Sequence, residues 1–494
     1  MKYLLGYDLG SSSVKATLLD IETGKVVASA TSPDTEMAMI AIQSGWAEQP
    51  LPEWWGNLVK ATQKLKVKYP FEAELVASIG ISYQMHGLVV VDKNWKPLRP
   101  SIIWCDSRAV AIGNQAFEEL GSDYCLQHLL NSPSNFTASK LKWVQMHEPS
   151  VYEQIHKVML PGDFIAMKMT SQINTTVSGL SEGIFWDFKQ QQVSQKLLDY
   201  YDIDRSLIPD IVPTFGESGQ LVQSAAETLG LKTGTPVSYR AGDQPNNAFS
   251  LNVLNPGEVA TTAGTSGVVY GINQAAQADA YSRVNSFVHV NSTAQAQRNG
   301  VLLCVNGTGI LNSWLRRLSG GLDYNTMNDL AATAPIGARD LSFLPFGNGA
   351  ERMLGNRQLD AHLQGLNFNI HSNADVFRAA QEGIVFAIEY GLKIMRQMGV
   401  TTQTVRAGRS NMFLSPVFRE AFANTTGTTI ELYDTDGSQG AARAAGIGIN
   451  LYDFRTAFDG LNLIETCEPE PHKQAQYSEV YQKWEGVLNK KINL

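Results

Sequence analysis

The feature that most limits the fold of this chain is a short pattern that occurs twice. Near the N-terminus, Tyr3-Leu4-Leu5-Gly6-Tyr7 reads as a buried strand, Asp8-Leu9-Gly10-Ser11-Ser12-Ser13 as a polar turn, and Val14 to Leu19 as a second strand. Asp20 to Gly24 is a hairpin turn, and Lys25 to Ala30 is a third strand. About 250 residues later Glu258 to Thr262 reads as a strand, Ala263-Gly264-Thr265-Ser266-Gly267 as a turn, and Val268 to Tyr270 as a strand again. Two such turn-linked units so far apart predict two related domains, not a solenoid. A length of 494 residues allows two to four domains.

Composition narrows the function. The chain is 44% hydrophobic and 17% charged, a globular balance. Lys plus Arg is 39 against 47 for Asp plus Glu, a net −8, the wrong sign for a polyanion-binding surface, so no nucleic-acid partner is expected. No apolar run reaches the roughly 20 residues of a membrane span, so no membrane partner is expected. MKYLLGYDLG carries an acid at its eighth position and no small-residue cleavage site, and reads as a strand, not a signal peptide. Cys105, Cys125, Cys304 and Cys467 are scattered with no CxxC pair, which argues against a metal cluster or disulfide scaffold and for a reducing, cytoplasmic setting. Cys105 itself reads as an inert core thiol.

Between the repeats, Trp55, Leu58, Thr62 and Leu65 give a helix near Pro52–Lys66. Val76 to Ile81 is a strand running into Ser82-Tyr83-Gln84-Met85-His86-Gly87. Leu88 to Val91 is another, with Pro100 to Trp104 as its hairpin partner. Val237 to Arg240 is a strand ending in Ala241-Gly242-Asp243. Phe377, Ala380, Ile384, Ile388 and Met395 mark a long helix, with a capping box at Ser372 and Asp375 and a stop at Gly399. Gly437–Gly448 is a glycine-rich helical segment. A terminal helix at about 477–490 puts Tyr477, Tyr481, Trp484 and Leu488 on one face, after a surface linker over Thr466–Gln476.

The polar turns suggest chemistry. Successive backbone N–H groups in Gly10–Ser13 and Gly264–Gly267 make nests for phosphate oxygens, two of which can hold a triphosphate across a cleft; either turn is equally readable as a tight hairpin. Neither is a Walker motif. Asp8, at a strand end, suits a hydrated Mg²⁺ bridging phosphates, or is a turn aspartate bonded to its own backbone. Lys15 neutralises phosphate or is an exposed strand lysine. Asp243 sits at a strand's carboxyl end, where α/β proteins bind ligands; it suits a general base and also a helix cap, and these do not exclude each other. His86 is a pocket residue or a structural hydrogen-bonder. Trp104 and Asp106 read locally as strand-end packing and a turn cap.

Taken together, these segments resemble the FGGY carbohydrate kinases over nearly the whole chain. The resemblance rests on Gly6–Lys15, Gly45-Trp46-Ala47-Glu48-Gln49-Pro50, Gln84-Met85-His86-Gly87, Trp104-Cys105-Asp106-Ser107-Arg108, Leu160-Pro161-Gly162-Asp163-Phe164, Ala241-Gly242-Asp243, Gly264-Thr265-Ser266-Gly267 and Gly349-Ala350-Glu351-Arg352. The Gln84–Gly87 run is similar to the branch acting on xylulose, not to that acting on glycerol. The chain departs from the family at Gln244-Pro245-Asn246, inserted after the aspartate. It departs again at Arg406-Ala407-Gly408-Arg409-Ser410-Asn411, where the family carries a run of glycines, and at Met353-Leu354.

The resemblance implies an α/β, two-domain actin-like ATPase (ribonuclease H-like) fold, with a mixed five-stranded sheet and flanking helices in each domain. Residues 1–248 would form the sugar-binding domain with the first phosphate loop, and 249–494 the ATP-binding domain. It implies ATP-dependent phosphorylation of a ketopentose, D-xylulose to D-xylulose 5-phosphate, with ATP and Mg²⁺ as cofactors. Asp243 and Asp8 would be catalytic, Asp8 holding Mg²⁺ through water. Met85, His86, Trp104, Asp106 and Asp243 would bind the sugar. Gly10, Ser11, Ser12, Lys15, Gly264, Thr265, Gly408 and Asn411 would bind the nucleotide. Partners would be the sugar and ATP, with a homodimer left open. The alternatives are a kinase for ribulose, gluconate or glycerol, or a non-metabolic ATPase of the same fold.

Overall fold

The computed structural model describes residues 2–493, which divide into two compact units. The first comprises residues 2–252, 287–299 and 435–461; the second comprises 253–286, 300–434 and 462–493. Among the described residues no helix is long and apolar enough to cross a membrane.

The first unit is built on a five-stranded sheet in the order Val237–Gly242, Val76–Tyr83, Tyr3–Leu9, Val14–Asp20, Val26–Ser32. The first three strands run parallel; the last two continue antiparallel through hairpins, as the opening sequence predicts. Tyr3–Leu9 is buried almost throughout, because both faces of the sheet are covered. On one face the helix Leu51–Lys68 packs with Trp54, Leu58, Ala61, Thr62 and Leu65, and Thr62 shares a 2.7 Å hydrogen bond with the Tyr7 hydroxyl. Trp54 takes the core position expected of Trp55, which is half-buried.

The other face is covered by the helix Gly437–Gly448. Gly6 and Gly80 lie opposite each other in register, and a Cβ on either would overlap main-chain oxygen of that helix, at Ser438 and Ala441. Two side-chain-free positions side by side thus make a flat seat for a helix that itself presents Ser438, Ala441, Ala442 and Ala445. The predicted hairpin between Leu88–Val91 and Pro100–Trp104 does not form. Val89–Val91 pairs with Lys157–Met159, Ser101–Ile102 pairs with Glu48–Gln49, and only a bridge between Leu88 and Ile102 remains.

The second unit carries a seven-stranded sheet, not five: Asn285–Val288 and Asn299–Val305, of which residues 287, 288 and 299 are counted in the first unit, then Gly267–Asn273, Val259–Ala263, Thr404–Gly408, Thr429–Tyr433, Leu463–Cys467. Leu463–Cys467 adds to one edge from within and just before the stretch expected to be a linker. The terminal helix begins at Pro471, where a proline is tolerated because its missing N–H would be unpaired anyway. The long helix runs Asn373–Gln397 with the capping box at Ser372 and Asp375. Tyr477, Tyr481, Trp484 and Leu488 are buried in the same core as its Ile384 and Ile388.

Candidate active site

Three parallel strands of the first unit end at one edge. Asp8 lies opposite Ser82, and Ser82 opposite Ala241, so the two carboxylates stand two strands apart, a backbone separation of about 10 Å. Asp243 opens the helix Asp243–Ser250, with Gly242 as its N-cap. Burial, and then the neighbouring Asp8 charge, push the Asp243 carboxyl up to about 7. Burial pushes Asp8 up to about 6, against the neighbouring Ser82 hydroxyl and the charge of Lys15. A carboxylate poised near neutrality at the end of a parallel strand can take a proton from an alcohol.

The first polar turn is a tight hairpin. The Gly10 N–H donates to Ser13 O at 3.0 Å, Ser11 O accepts from Gln49 Nε2 at 2.6 Å, and Ser12 O accepts from the Met37 N–H at 2.8 Å. Lys15 Nζ sits 2.6 Å from Asp436. Asp436 in turn caps the helix Gly437–Gly448, accepting from the Gln439 N–H at 3.0 Å and the Ser438 hydroxyl at 2.7 Å. That helix starts against Asp8: a Cβ at Gly437 would overlap Asp8 Oδ2, and Asn246 Nδ2 donates to Gly437 O at 2.8 Å. The sequence alone gives this helix start no site role. Its signal was Asp436 followed by glycine and serine after a strand, an N-cap pattern.

Beside Asp243 lies a second cluster. The His86 N–H donates to Glu182 Oε2 at 3.1 Å, and its Nδ1 lies 2.9 Å from the Glu182 carbonyl oxygen. A carbonyl only accepts, so Nδ1 carries a proton. The Tyr83 hydroxyl donates to Glu182 Oε1 at 2.6 Å. Burial raises the Glu182 carboxyl well above its usual range, despite the hydrogen bonds from Tyr83 and His86. The rings of Phe136 and Phe287 stand 4.8 and 5.3 Å from that of His86. A Cβ at Gly242 would meet Met85 Cγ at 2.6 Å and the two Glu182 carboxylate oxygens at 3.2 and 3.3 Å, so Met85 and Glu182 both converge on the residue preceding Asp243. Glu182 and the fully buried Lys140 belong to no motif, so nothing in the sequence marks them.

Trp104 is 46% exposed, with Nε1 3.5 Å from Ser11 Oγ. Asp106 is fully buried, and both its oxygens are engaged: Oδ1 by the Arg108 N–H and Nε at 2.9 and 3.0 Å, Oδ2 by the Ala47 N–H and Arg108 Nη2 at 2.6 and 2.7 Å. Arg108 stacks on Trp46 at 3.9 Å. Cys105, expected in the core, is exposed, because it sits in a turn between Trp104 and Asp106 and not in a strand.

In the second unit the second polar turn rests on the start of the helix Gly309–Leu318. Gly264 O accepts from the Gly309 N–H at 2.9 Å and Thr265 O from the Ile310 N–H at 3.1 Å. Asn411, with φ +52°, brings Nδ2 within 3.6 Å of where a Cβ of Gly264 would stand. Gly408 ends the neighbouring strand. Glu351 is buried, accepting from the Asn306 N–H at 3.0 Å, and burial pushes its carboxyl up to about 8.

The architecture has close counterparts. A xyloylose kinase from Brucella ovis superimposes with a TM-score of 0.88 at 25% identity, covering 98% of each chain. A gluconate kinase from Lactobacillus acidophilus superimposes at 0.89 with 22% identity, over 99% of this chain and 98% of that one. The fold class is that of the sugar kinases built on the actin-like ATPase fold. Residues 3–250 match the model of the FGGY family of carbohydrate kinases, N-terminal domain, and the chain belongs to that family. The xylulose kinase of Escherichia coli (strain K12) is 28% identical over 452 residues, 90% of each chain. The protein is thus a carbohydrate kinase that uses ATP.

Proposed function

We propose that this kinase phosphorylates a ketopentose, D-xylulose to D-xylulose 5-phosphate, with Asp243 as general base. The observation that carries the reading is the Asp243 carboxyl, raised to about 7 at the carboxyl end of a parallel strand, directly after Gly242, on which Met85 and Glu182 converge. The similarity to xylulose kinases supports the choice of sugar. Sugar contacts are assigned to Met85, His86, Trp104 and Asp243. Asp106, already held by Arg108 and Ala47, would shape the loop that carries Trp104. Phosphate contacts are assigned to Gly10, Ser11, Ser12, Lys15, Gly264 and Thr265, and adenosine contacts to Gly408 and Asn411. Lys15 would have to exchange Asp436 for phosphate.

Among the described residues no group of three or more His, Cys, Asp and Glu forms a metal cage. Mg²⁺ takes one or two carboxylates plus water and substrate phosphates, which suits Asp8 as its protein partner. Asp243 would accept the proton of the C5 hydroxyl as that oxygen attacks the γ-phosphate, and positioning and charge neutralisation would supply most of the acceleration. Free thiols at all four cysteines suit a cytoplasmic setting.

Coupled measurement of ADP release across pentuloses, hexuloses, gluconate and glycerol tests the assignment. The expected result is the highest kcat/KM for D-xylulose and little ADP release without sugar. A higher kcat/KM for another acceptor reassigns the substrate, and full ATP hydrolysis without any acceptor removes the kinase reading.

A further inference from the structure

His86 has a left-handed backbone, φ +62°, a conformation that strains any residue with a Cβ and persists only where its surroundings impose it. Here the peptide is gripped on both sides. Glu182 Oε2 takes its N–H at 3.1 Å, and Lys140 Nζ donates to its carbonyl oxygen at 2.8 Å. The same Nζ donates to Ile103 O at 3.0 Å, immediately before Trp104. Lys140 is completely buried on the helix Thr137–His147, and Glu182 is 2% exposed at the end of Val177–Glu182. Burial pushes the Lys140 amine down to about 7, and burying an amine and a carboxyl costs folding free energy unless their bonds return it. Both spend those bonds on the two loops that carry Met85, His86 and Trp104.

We infer that Lys140 and Glu182 are positioning residues of the sugar pocket, holding His86 in its left-handed turn and tying that turn to the Trp104 loop. The inference rests on the reading that His86 contacts the sugar. Lys140 acts as a staple between two carbonyl oxygens from different loops. Glu182 fixes the His86 backbone, its ring tautomer through its own carbonyl, and Tyr83 at once.

The test is steady-state kinetics with D-xylulose and ATP varied separately, in Lys140→Met, Glu182→Gln, His86→Ala and the Lys140→Met/His86→Ala double variant. Losing the staple lets the turn relax, and misplacement of about an ångström costs on the order of tenfold or more. The sugar KM is therefore expected to rise about tenfold in Lys140→Met while the ATP KM stays within about twofold. In the double variant the two effects are expected to be non-additive, since both act through His86. If Lys140→Met does not fold, the isosteric Glu182→Gln carries the same split with a smaller rise. An unchanged sugar KM in folded Lys140→Met and Glu182→Gln, or a parallel rise in the KM of both substrates, overturns the positioning role alone. An unchanged sugar KM in His86→Ala overturns the reading on which it rests.

Discussion

Asp243→Asn is expected to lower turnover by about 10²–10⁴-fold while sugar binding, followed by calorimetry, stays near native. The amide keeps the shape and one acceptor oxygen of the side chain but cannot accept the proton of the attacking hydroxyl. A variant that retains near-native turnover sinks the assignment of the base. In the native enzyme kcat/KM for sugar is expected to fall about tenfold per unit as pH drops below about 7, because protonated Asp243 is inactive. The same shift has a consequence for stability. In the unfolded chain the carboxyl ionises at its ordinary 3.8, against about 7 in the folded state, so the folded state holds more protons between those values. Stability is therefore lost as pH rises through that window, with the penalty absent below 3.8 and complete above about 7. Asp243→Asn is expected to be more stable than the native protein at about pH 8, by roughly a few kcal/mol at most, and to lose that advantage near pH 4. A thermal midpoint that shifts equally at both pH values contradicts this.

Asp163→Ala is expected to destabilise the first unit by about 3–5 kcal/mol. Asp163 lies in the first turn of the helix Pro161–Thr170, where its Oδ2 accepts from the Leu160 N–H at 3.1 Å and its Oδ1 stands 2.8 Å from Arg240 Nε. Both side chains are almost entirely buried, and Arg240 Nη2 also donates to Asn174 O and Oδ1 at 3.0 and 2.9 Å. Removing the carboxylate leaves a guanidinium in the interior without its counter-charge. The double variant Asp163→Leu/Arg240→Met is expected to recover most of the loss, since the pair's desolvation cost disappears with it. Urea unfolding of the three proteins checks both statements, and a single variant within about 1 kcal/mol of native would show that the pair does not hold the helix to the sheet.

Much of this molecule is written locally. The hairpins of Tyr3–Leu9, Val14–Asp20 and Val26–Ser32, the capped helix Asn373–Gln397 and the buried face of the terminal helix follow from spacing and caps within a few residues. What failed was set by distant partners. Val89–Val91 has the same alternation whichever strand it joins, and only the tertiary structure selects Lys157–Met159 over Pro100–Trp104. Trp54 and Trp55 are adjacent on the same helix, and which is buried depends on the sheet beneath. Asp8, Met85, His86, Trp104 and Asp243 stand out as candidates because they end strands or sit in turns of a family pattern. Lys140 and Glu182 lie inside helices, in runs that carry no motif, and their role shows only when their hydrogen bonds are traced to His86.

The helix seated on Gly6 and Gly80 is the last large piece of the first unit to leave the ribosome. Its residues follow position 434, while the sheet it covers is complete by Gly242. During synthesis that sheet waits with one face bare while the intervening chain is made, a period in which exposed strands invite wrong partners. Maturation of the nascent enzyme is thereby tied to its late C-terminal portion. A message cut short anywhere before codon 437 would yield a product lacking the lid over those glycines, fit for chaperones and proteases and not for catalysis.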